Sequence, residues 1–304
     1  MMISEKLEVI SKGEGKTVKR PIEFVGFTRQ KFDEWTKIRL IPSTKGIVFR
    51  VKFNGQKVYE VPLSYTSAID SKSDHTTYLA NKNGERIRTV EHILSALFGM
   101  EINSLLIEID GSDEVPILDH SAEVFTKEIE KVGVVETGRK REVIKVLQPI
   151  NFHYKDSFAM LRPSSGTYYS VFIRFNEPIG RQFFNVSLAS NTYSKEIAWA
   201  RSFIRTDCDD AYWEQCKNRI PSLSENIKDC PIPAFNKGKW IIKPKRKDEP
   251  VRHKLLDLIG DLAVLGYPVL ADITVIWPGH DFNRRLVCYL GKLLEKSKHE
   301  MSLK

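Results

Sequence analysis

The sequence predicts an α+β protein of two similar sandwich units, each a mostly antiparallel sheet covered by helices. At 304 residues the chain exceeds the length over which one hydrophobic core usually keeps growing. Each half also shows the same order of patterns: strands, a helix that begins near a histidine, and a further strand. We therefore predict that the two units pack face to face and that their histidine-bearing helices meet between them.

The N-terminal half has the pattern of an antiparallel sheet followed by helices. Strand-like runs occur at residues 23–27, 38–41 and 46–53, separated by polar or Gly/Pro turns. In residues 89–98 the apolar positions recur as on one face of a helix, with Thr89 as the predicted N-cap and Gly99 as the predicted end. A strand at 104–109 and a second helix, capped by Asp119 or Ser121 and extending through Ile129, complete this half.

The boundary between the units is predicted in the polar segment 136–142, which contains a glycine. This division gives an N-terminal domain of residues 1–137 and a C-terminal domain of residues 138–304. The second domain has predicted strands at 142–146, 158–162, 168–175 and 273–277, a helix at 254–265 and an insertion around 204–250.

Composition excludes several classes of protein. The first residues lack a continuous apolar segment, so we expect no secretory signal. The most apolar stretch, 255–277, contains Asp257, Asp261 and Asp272, which argues against a membrane span. The four cysteines are too sparse for a disulfide scaffold, which favours reduced thiols in a cytoplasmic protein; they are Cys208, Cys216, Cys230 and Cys288.

The net charge of +8 indicates an anionic partner without saying which one. The basic clusters, residues 139–141 and 243–247, are short and have no interleaved aromatic residues on which bases could stack. Solvated loops are therefore favoured over a nucleic-acid site.

Three short elements carry chemistry. His253, Asp257 and Asp261 occupy positions i, i+4 and i+8 of a predicted helix, close enough in direction to reach one ion. An ordinary surface ion pair is the alternative interpretation of the first two. Glu91 and His92 lie side by side at a predicted helix start, and His280 follows an apolar strand in a turn. Taken together, these residues are the parts of a one-metal hydrolase.

Five segments in order resemble the UDP-3-O-acyl-N-acetylglucosamine deacetylases, which carry out the committed, zinc-dependent step of lipid A synthesis in Gram-negative bacteria. The segments are residues 89–92 (TVEH), 114–119 (EVPILD), 200–203 (ARSF), 253–261 (HKLLDLIGD) and 279–280 (GH). The resemblance extends over essentially the whole chain, and it implies two α+β domains with the active site at their interface.

The resemblance also implies roles for particular residues. His92, His253 and Asp257 would bind one Zn²⁺ per chain, with Fe²⁺ as the alternative ion. Glu91 would be the general base, and His280, held protonated by Asp261, would stabilise the oxyanion and protonate the amine. Lys254 and the Ser202 hydroxyl would contact the tetrahedral intermediate, and Phe203 would line the sugar or acyl region of the substrate. The segment from Phe203 through Trp213 is expected to form the apolar passage for the acyl chain.

The chain departs from the family pattern at five places, one of which is the basic segment 243–247, where the family has an acidic approach to the zinc-binding helix. Thr28 occupies the position of an auxiliary histidine, Ser202 replaces a threonine but keeps the hydroxyl, and His120 replaces a glycine. Residues 222–226 replace a Gly-Gly loop. These departures leave a second hypothesis open, a related zinc amidase that acts on another N-acylated sugar.

The expected partner is a UDP-linked, acylated amino sugar, whose pyrophosphate suits the positive charge. We expect a monomer that binds no nucleic acid and is not inserted in a membrane, with at most transient contact with a membrane surface. The rival from a different class is a catalytically silent module that binds nucleic acid or an anionic membrane through residues 243–247. Tightly bound zinc distinguishes the enzyme from this module.

Overall fold

The computed structural model describes residues 6–28, 35–69, 75–206 and 232–302. The helices are α1 (Glu91–Gly99), α2 (Glu123–Val132), α3 (Ser190–Glu196), α4 (Glu249–Ala263) and α5 (His280–Ser302), with a short 3-10 helix at Tyr65–Ser67. The first ten strands are β1 (Leu7–Val18), β2 (Ile22–Phe27), β3 (Trp35–Pro42), β4 (Ile47–Phe53), β5 (Gln56–Pro62), β6 (Ala68–Ile69), β7 (Tyr78–Ala80), β8 (Arg86–Arg88), β9 (Leu105–Asp110) and β10 (Val134–Val146). The remaining strands are β11 (Ile150–Tyr154), β12 (Ser157–Arg162), β13 (Tyr168–Arg174), β14 (Arg181–Ser187), β15 (Ile204–Arg205), β16 (Ala234–Asn236), β17 (Lys239–Ile242), β18 (Val269–Leu270) and β19 (Asp272–Ile276).

Two five-stranded sheets have the same topology. The N-terminal sheet has the strand order β2-β3-β9-β4-β5 and the C-terminal sheet the order β11-β12-β19-β13-β14. In each, two antiparallel hairpins flank a later strand, which pairs antiparallel with one hairpin and parallel with the other. The predicted α+β class is confirmed, and the architectural repeat extends to strand order.

Each sheet buries one face against helices. In β3 the alternating residues Thr36, Ile38 and Leu40 are buried, whereas Lys37 and Arg39 between them are exposed. In β19 the buried residues are Ile273 and Val275. This period of two is the pattern from which the strands were predicted.

Helices α1 and α4 cross in close contact. A Cβ atom built on Gly260 of α4 would lie 2.0 Å from the carbonyl oxygen of Glu91 in α1, so only glycine allows this approach. At the other end of α1, Gly99 contacts the ring of Tyr193 in the same manner, with a built Cβ 2.3 Å from Cγ. The two predicted histidine-bearing helices therefore meet, because Gly260 has no side chain to hold them apart, and Gly99 allows a similar approach of α1 to α3.

The segment predicted as a polar linker, 136–142, is instead part of strand β10. It pairs antiparallel with β1, and β10 also pairs parallel with β18 in a third sheet. Surface exposure along most of this strand explains the polar sequence, which has the composition of a loop. The division into domains 1–137 and 138–304 stays a prediction.

No helix within the described ranges is long and apolar enough to cross a bilayer. Three of the cysteines, Cys208, Cys216 and Cys230, lie outside the described residues, as do the loop 222–226 and most of the predicted acyl passage. Cys288 is described and is a free thiol.

Candidate metal centre

The start of α1 places a carboxylate and an imidazole in the protein interior. The helix begins at Glu91, and both Glu91 and His92 are buried. Thr89 is not its N-cap, contrary to prediction. Its backbone is left-handed, with φ of 57°, and its hydroxyl donates a hydrogen bond of 2.6 Å to buried Glu114. This rare conformation for a β-branched residue turns the chain sharply into the helix.

Helix α4 presents His253, Asp257 and Asp261 on one buried face, as the spacing predicted. The Nδ1 atom of His253 lies 3.1 Å from the carbonyl oxygen of Ala200. A proton on Nδ1 satisfies that carbonyl and leaves the Nε2 lone pair directed to Asp257, 3.4 Å from its Oδ1. The interpretation of His253 and Asp257 as a surface ion pair is wrong, because both side chains are buried.

His92, His253 and Asp257 form a group of potential metal ligands. Their ligand atoms all lie within 4.8 Å of one another. The Nε2 atom of His92 is 3.7 Å from Asp257 Oδ1, and the two imidazole rings are 5.4 Å apart at 88°. Asp257 Oδ1 and His92 Nδ1 are buried without a hydrogen-bond partner among the described residues. Because an unpaired buried carboxylate oxygen is costly, this group fits a bound cation.

The protonation states also suit a metal. Burial lowers the pKa of His253 to about 3, despite the nearby carboxylate of Asp257, so the imidazole is neutral near pH 7. Burial alone would raise the pKa of Asp257. Electrostatic interaction with His253, which is charged only at acid pH, and with the Lys254 ammonium outweighs burial and holds that pKa well below its usual value. A neutral imidazole and an ionised carboxylate are the forms that bind metal ions.

Two adjacent threonines orient the carboxylate of Glu91. The hydroxyl of Thr76 donates to Oε1 at 2.6 Å, and the backbone N–H of Thr77 donates to Oε2 at 3.0 Å. Both oxygens are therefore held in one direction beside His92.

The same segment also contacts Asp261 and His280. The Thr77 hydroxyl donates to Asp261 Oδ1 and lies 3.2 Å from His280 Nδ1. His280 Nδ1 is 2.9 Å from Asp261 Oδ2, which also accepts a 2.8 Å bond from the Asn283 amide. Burial would lower the pKa of His280, but the charges of Asp261 and Asp257 raise it to about 9. The structure thus brings His280 to the ligand group, with its Nε2 3.8 Å from Asp257 Oδ2.

Lys254 and Phe203 join the site, whereas Ser202 makes a different contact. The Lys254 ammonium is 2.8 Å from Asp257 Oδ2 and 5.7 Å from the centre of the Phe203 ring. That ring also lies edge-on to His253, at 6.2 Å. The Ser202 hydroxyl donates to the carbonyl of His120 at 3.4 Å. Its catalytic role stays a prediction.

Sequence reasoning missed Thr76, Thr77 and Asn283. The two threonines precede Glu91 by 15 and 14 positions and have no motif of their own. Asn283, three residues after His280 on α5, could have been found from its helical spacing.

Comparison with known proteins agrees with this geometry. A sequence profile described as UDP-3-O-acyl N-acetylglycosamine deacetylase matches residues 15–292. The chain is 32% identical to the UDP-3-O-acyl-N-acetylglucosamine deacetylase of Nautilia profundicola over 89% of each protein. It is 31% identical to that of Solibacter usitatus, again over 89% of each. For that of an Anaeromyxobacter species, identity is 33% over 81% of this chain and 78% of the relative. The resemblance seen in the sequence is thereby confirmed: the chain belongs to the UDP-3-O-acyl-N-acetylglucosamine deacetylase family.

Proposed function

We propose that the protein is a zinc-dependent deacetylase that hydrolyses the 2-acetamido group of UDP-3-O-acyl-N-acetylglucosamine in lipid A biosynthesis. The observation that carries this proposal is the buried group of two imidazoles and a carboxylate, with a second carboxylate beside it. The names of the relatives support the substrate class.

In this proposal His92, His253 and Asp257 hold one Zn²⁺ per chain. The same ligand types also suit Fe²⁺, so metal analysis of protein from its native host identifies the ion. When bound, the cation acts as a Lewis acid that polarises the amide carbonyl and makes water more acidic.

Glu91 is the proposed general base. Its carboxylate takes a proton from the water whose oxygen bonds to the acetamido carbon. The hydrogen bonds from Thr76 and Thr77 keep the carboxylate in place during this transfer, which supports the assignment.

His280 is the proposed general acid. Because its Nδ1 faces Asp261, the Nε2 proton is the one available to the amine nitrogen as the C–N bond breaks and acetate leaves. The imidazolium also stabilises the developing oxyanion, together with the Lys254 ammonium and the Ser202 hydroxyl. Phe203 lines the sugar or acyl region, next to His253.

The test is acetate release by the purified enzyme from UDP-3-O-acyl-N-acetylglucosamine and from the same nucleotide sugar without the 3-O-acyl chain. We expect kcat/KM to be at least tenfold higher, roughly the effect of a well-buried apolar group, for the acylated substrate. Equal rates would favour the related amidase that acts on another N-acylated sugar. A protein with no zinc and no acetate release would favour the silent binding module.

We further propose that the enzyme is a monomer that acts in the cytoplasm. The free thiol of Cys288 agrees with a reducing compartment. Light scattering of the eluted protein measures the mass directly, to be compared with the 35.0 kDa of one chain.

A further inference from the structure

A row of apolar side chains, exposed except for half-buried Phe158, crosses the outer face of the C-terminal sheet. The strand register aligns Phe158, Ile276, Phe172 and Phe183 on the neighbouring strands β12, β19, β13 and β14. Four strands at the usual spacing give a width of about 14 Å. With Trp277, which follows Ile276 in the chain, these five side chains are named the apolar row.

The apolar row is not part of the core. The alternate residues of the same strands, such as Val171 and Val275, point to the inner face and are buried. On the outer face Phe172 is 42% exposed, Ile276 44%, Phe183 50% and Trp277 39%. The rings of Phe172 and Phe183 pack against each other, with centroids 4.3 Å apart. Contiguous exposed apolar side chains of this size indicate an interaction surface.

Two arginines border one end of the row. Arg174 and Arg181 are directly opposite each other on β13 and β14, two residues beyond Phe172 and Phe183, and both are exposed. No acid within the described parts of the chain pairs with either of them. Like charges opposite each other destabilise a sheet, so this pair favours an anion that contacts both. At the other end of the row, Lys155 and Asp156 carry opposite charges.

We propose that the apolar row and the Arg174–Arg181 pair form a docking surface for an anionic lipid bilayer. Phenylalanine and tryptophan side chains enter the interfacial region of a bilayer, and guanidinium groups bind lipid phosphates. The outer face of the sheet presents Ile276, Phe172, Phe183 and both arginines on one side, with exposed Trp277 next to Ile276 in the chain. A second copy of this chain would bring the same cations and no acid within the row, so charge complementarity favours the lipid.

The position of the row adds a consequence for the active site. Trp277 has a left-handed backbone, with φ of 58°, and its N–H donates to the carbonyl of Phe172 at 2.7 Å. Three residues later the chain reaches His280. Docking would therefore hold the bilayer near the turn that carries the proposed general acid. Vesicle binding is measured without turnover, so the proposal stands or falls independently of the proposed function.

The test is partitioning of the full chain onto large unilamellar vesicles. Wild type is expected to sediment with vesicles of equimolar phosphatidylglycerol and phosphatidylcholine, to be released by high salt, and to stay in solution with phosphatidylcholine alone. The double variant Arg174→Glu/Arg181→Glu should lower the partition coefficient by about tenfold or more. Phe172→Ser/Phe183→Ser should lower it by a similar factor.

Matched controls come from the N-terminal domain. Lys45→Glu and Phe53→Ser change an exposed cation and a 47% exposed phenylalanine away from the row, and should bind the vesicles as wild type does. Circular dichroism establishes that each variant is folded. If a row variant fails to fold, brominated lipids should still quench the fluorescence of wild type, and less so in Trp277→Phe.

Four results would overturn the proposal. The first is that wild type does not bind anionic vesicles, and the second is that row and control variants bind them equally. The third is that wild type forms a dimer that Phe172→Ser/Phe183→Ser abolishes. The fourth is that this variant loses kcat/KM tenfold on a soluble substrate without vesicles. The third result would assign the row to a second copy of the chain. The fourth would assign it to the substrate site.

Discussion

The close crossing of α1 and α4 makes Gly260→Ala the most informative substitution. The added Cβ would lie 2.0 Å from the carbonyl oxygen and 2.8 Å from the carbonyl carbon of Glu91, both backbone atoms that no rotamer change can move. Ordinary van der Waals contact begins near 3.4 Å, so the helices must separate locally by about 1.4 Å. This separation acts directly on the metal centre, since His92 is the neighbour of Glu91.

Gly260→Ala should favour the helix itself but disfavour its packing against α1. In an isolated helix, alanine is favoured over glycine by about 1 kcal/mol. In this crossing, overpacking should cost about 1–3 kcal/mol of unfolding free energy. A shift of about 1 Å in a catalytic group can reduce turnover by about 10²-fold. We expect zinc affinity to fall at least about tenfold, as for lost positioning of a ligand, and acetate release to fall by about 10²-fold.

Competition with a chromogenic chelator measures the zinc affinity, and urea titration followed by circular dichroism measures stability. Gly291→Ala is the matched control: its Cβ would lie 2.3 Å from the ring of Tyr65, in a helix that carries none of the proposed metal ligands. It should lower stability without weakening zinc binding. Zinc affinity and turnover of Gly260→Ala equal to wild type would refute the claim that the crossing sets the geometry of the centre.

Four further substitutions test individual roles. Glu91→Gln should keep its zinc but reduce kcat by about 10² or more, because the proton acceptor is lost. Asp257→Ala should lose the zinc, measured by elemental analysis. Asp261→Asn removes the charge that contributes most to raising the pKa of His280. Because the proposed mechanism uses the protonated imidazole as the acid, the alkaline fall of the pH–rate profile should move to lower pH. Thr77→Val should reduce kcat more than it changes KM, because it removes the hydrogen bond from the Thr77 hydroxyl to Asp261 and leaves the backbone bond to Glu91.

Each of these has a contrary result. A Glu91→Gln enzyme with normal turnover would exclude it as the base, and full zinc content in Asp257→Ala would exclude that ligand. If the alkaline limb of the pH–rate profile is unchanged in Asp261→Asn, His280 is not the group whose deprotonation causes the loss of activity. Thr77→Ser keeps the hydroxyl and should restore activity, so equal loss in both Thr77 variants would point to packing alone.

The helical part of the site was predictable because it is local. The separation of four residues between His253 and Asp257 brings both side chains to one face in any α-helix, whatever surrounds it. The two-unit architecture was also predictable, because each half of the sequence shows the apolar periodicities of strands and helices in the same order. What the sequence alone left open was whether the face of α4 is buried, which depends on α1.

The missed features depend on contacts between distant positions. Nothing in the local sequence marks Gly260 as the contact point for the backbone of Glu91, since isolated glycines in helices are common. The contact of Thr77 with Asp261 joins residues 184 positions apart. The first part of strand β10, which precedes the predicted strand at 142–146, was missed for another reason. Its exposed, polar residues lack alternation, and its pairing with β1 comes from the backbone rather than from side-chain pattern.

The proposed function requires above all that imidazoles from both halves and Asp257 bind the same ion. Extended X-ray absorption at the zinc edge measures this directly on the purified protein. We predict one zinc per chain with nitrogen and oxygen neighbours near 2.0–2.1 Å and the multiple-scattering signal of two imidazoles, reduced to one in His92→Ala. A sulfur shell near 2.3 Å, or an imidazole signal unchanged in His92→Ala, would contradict it.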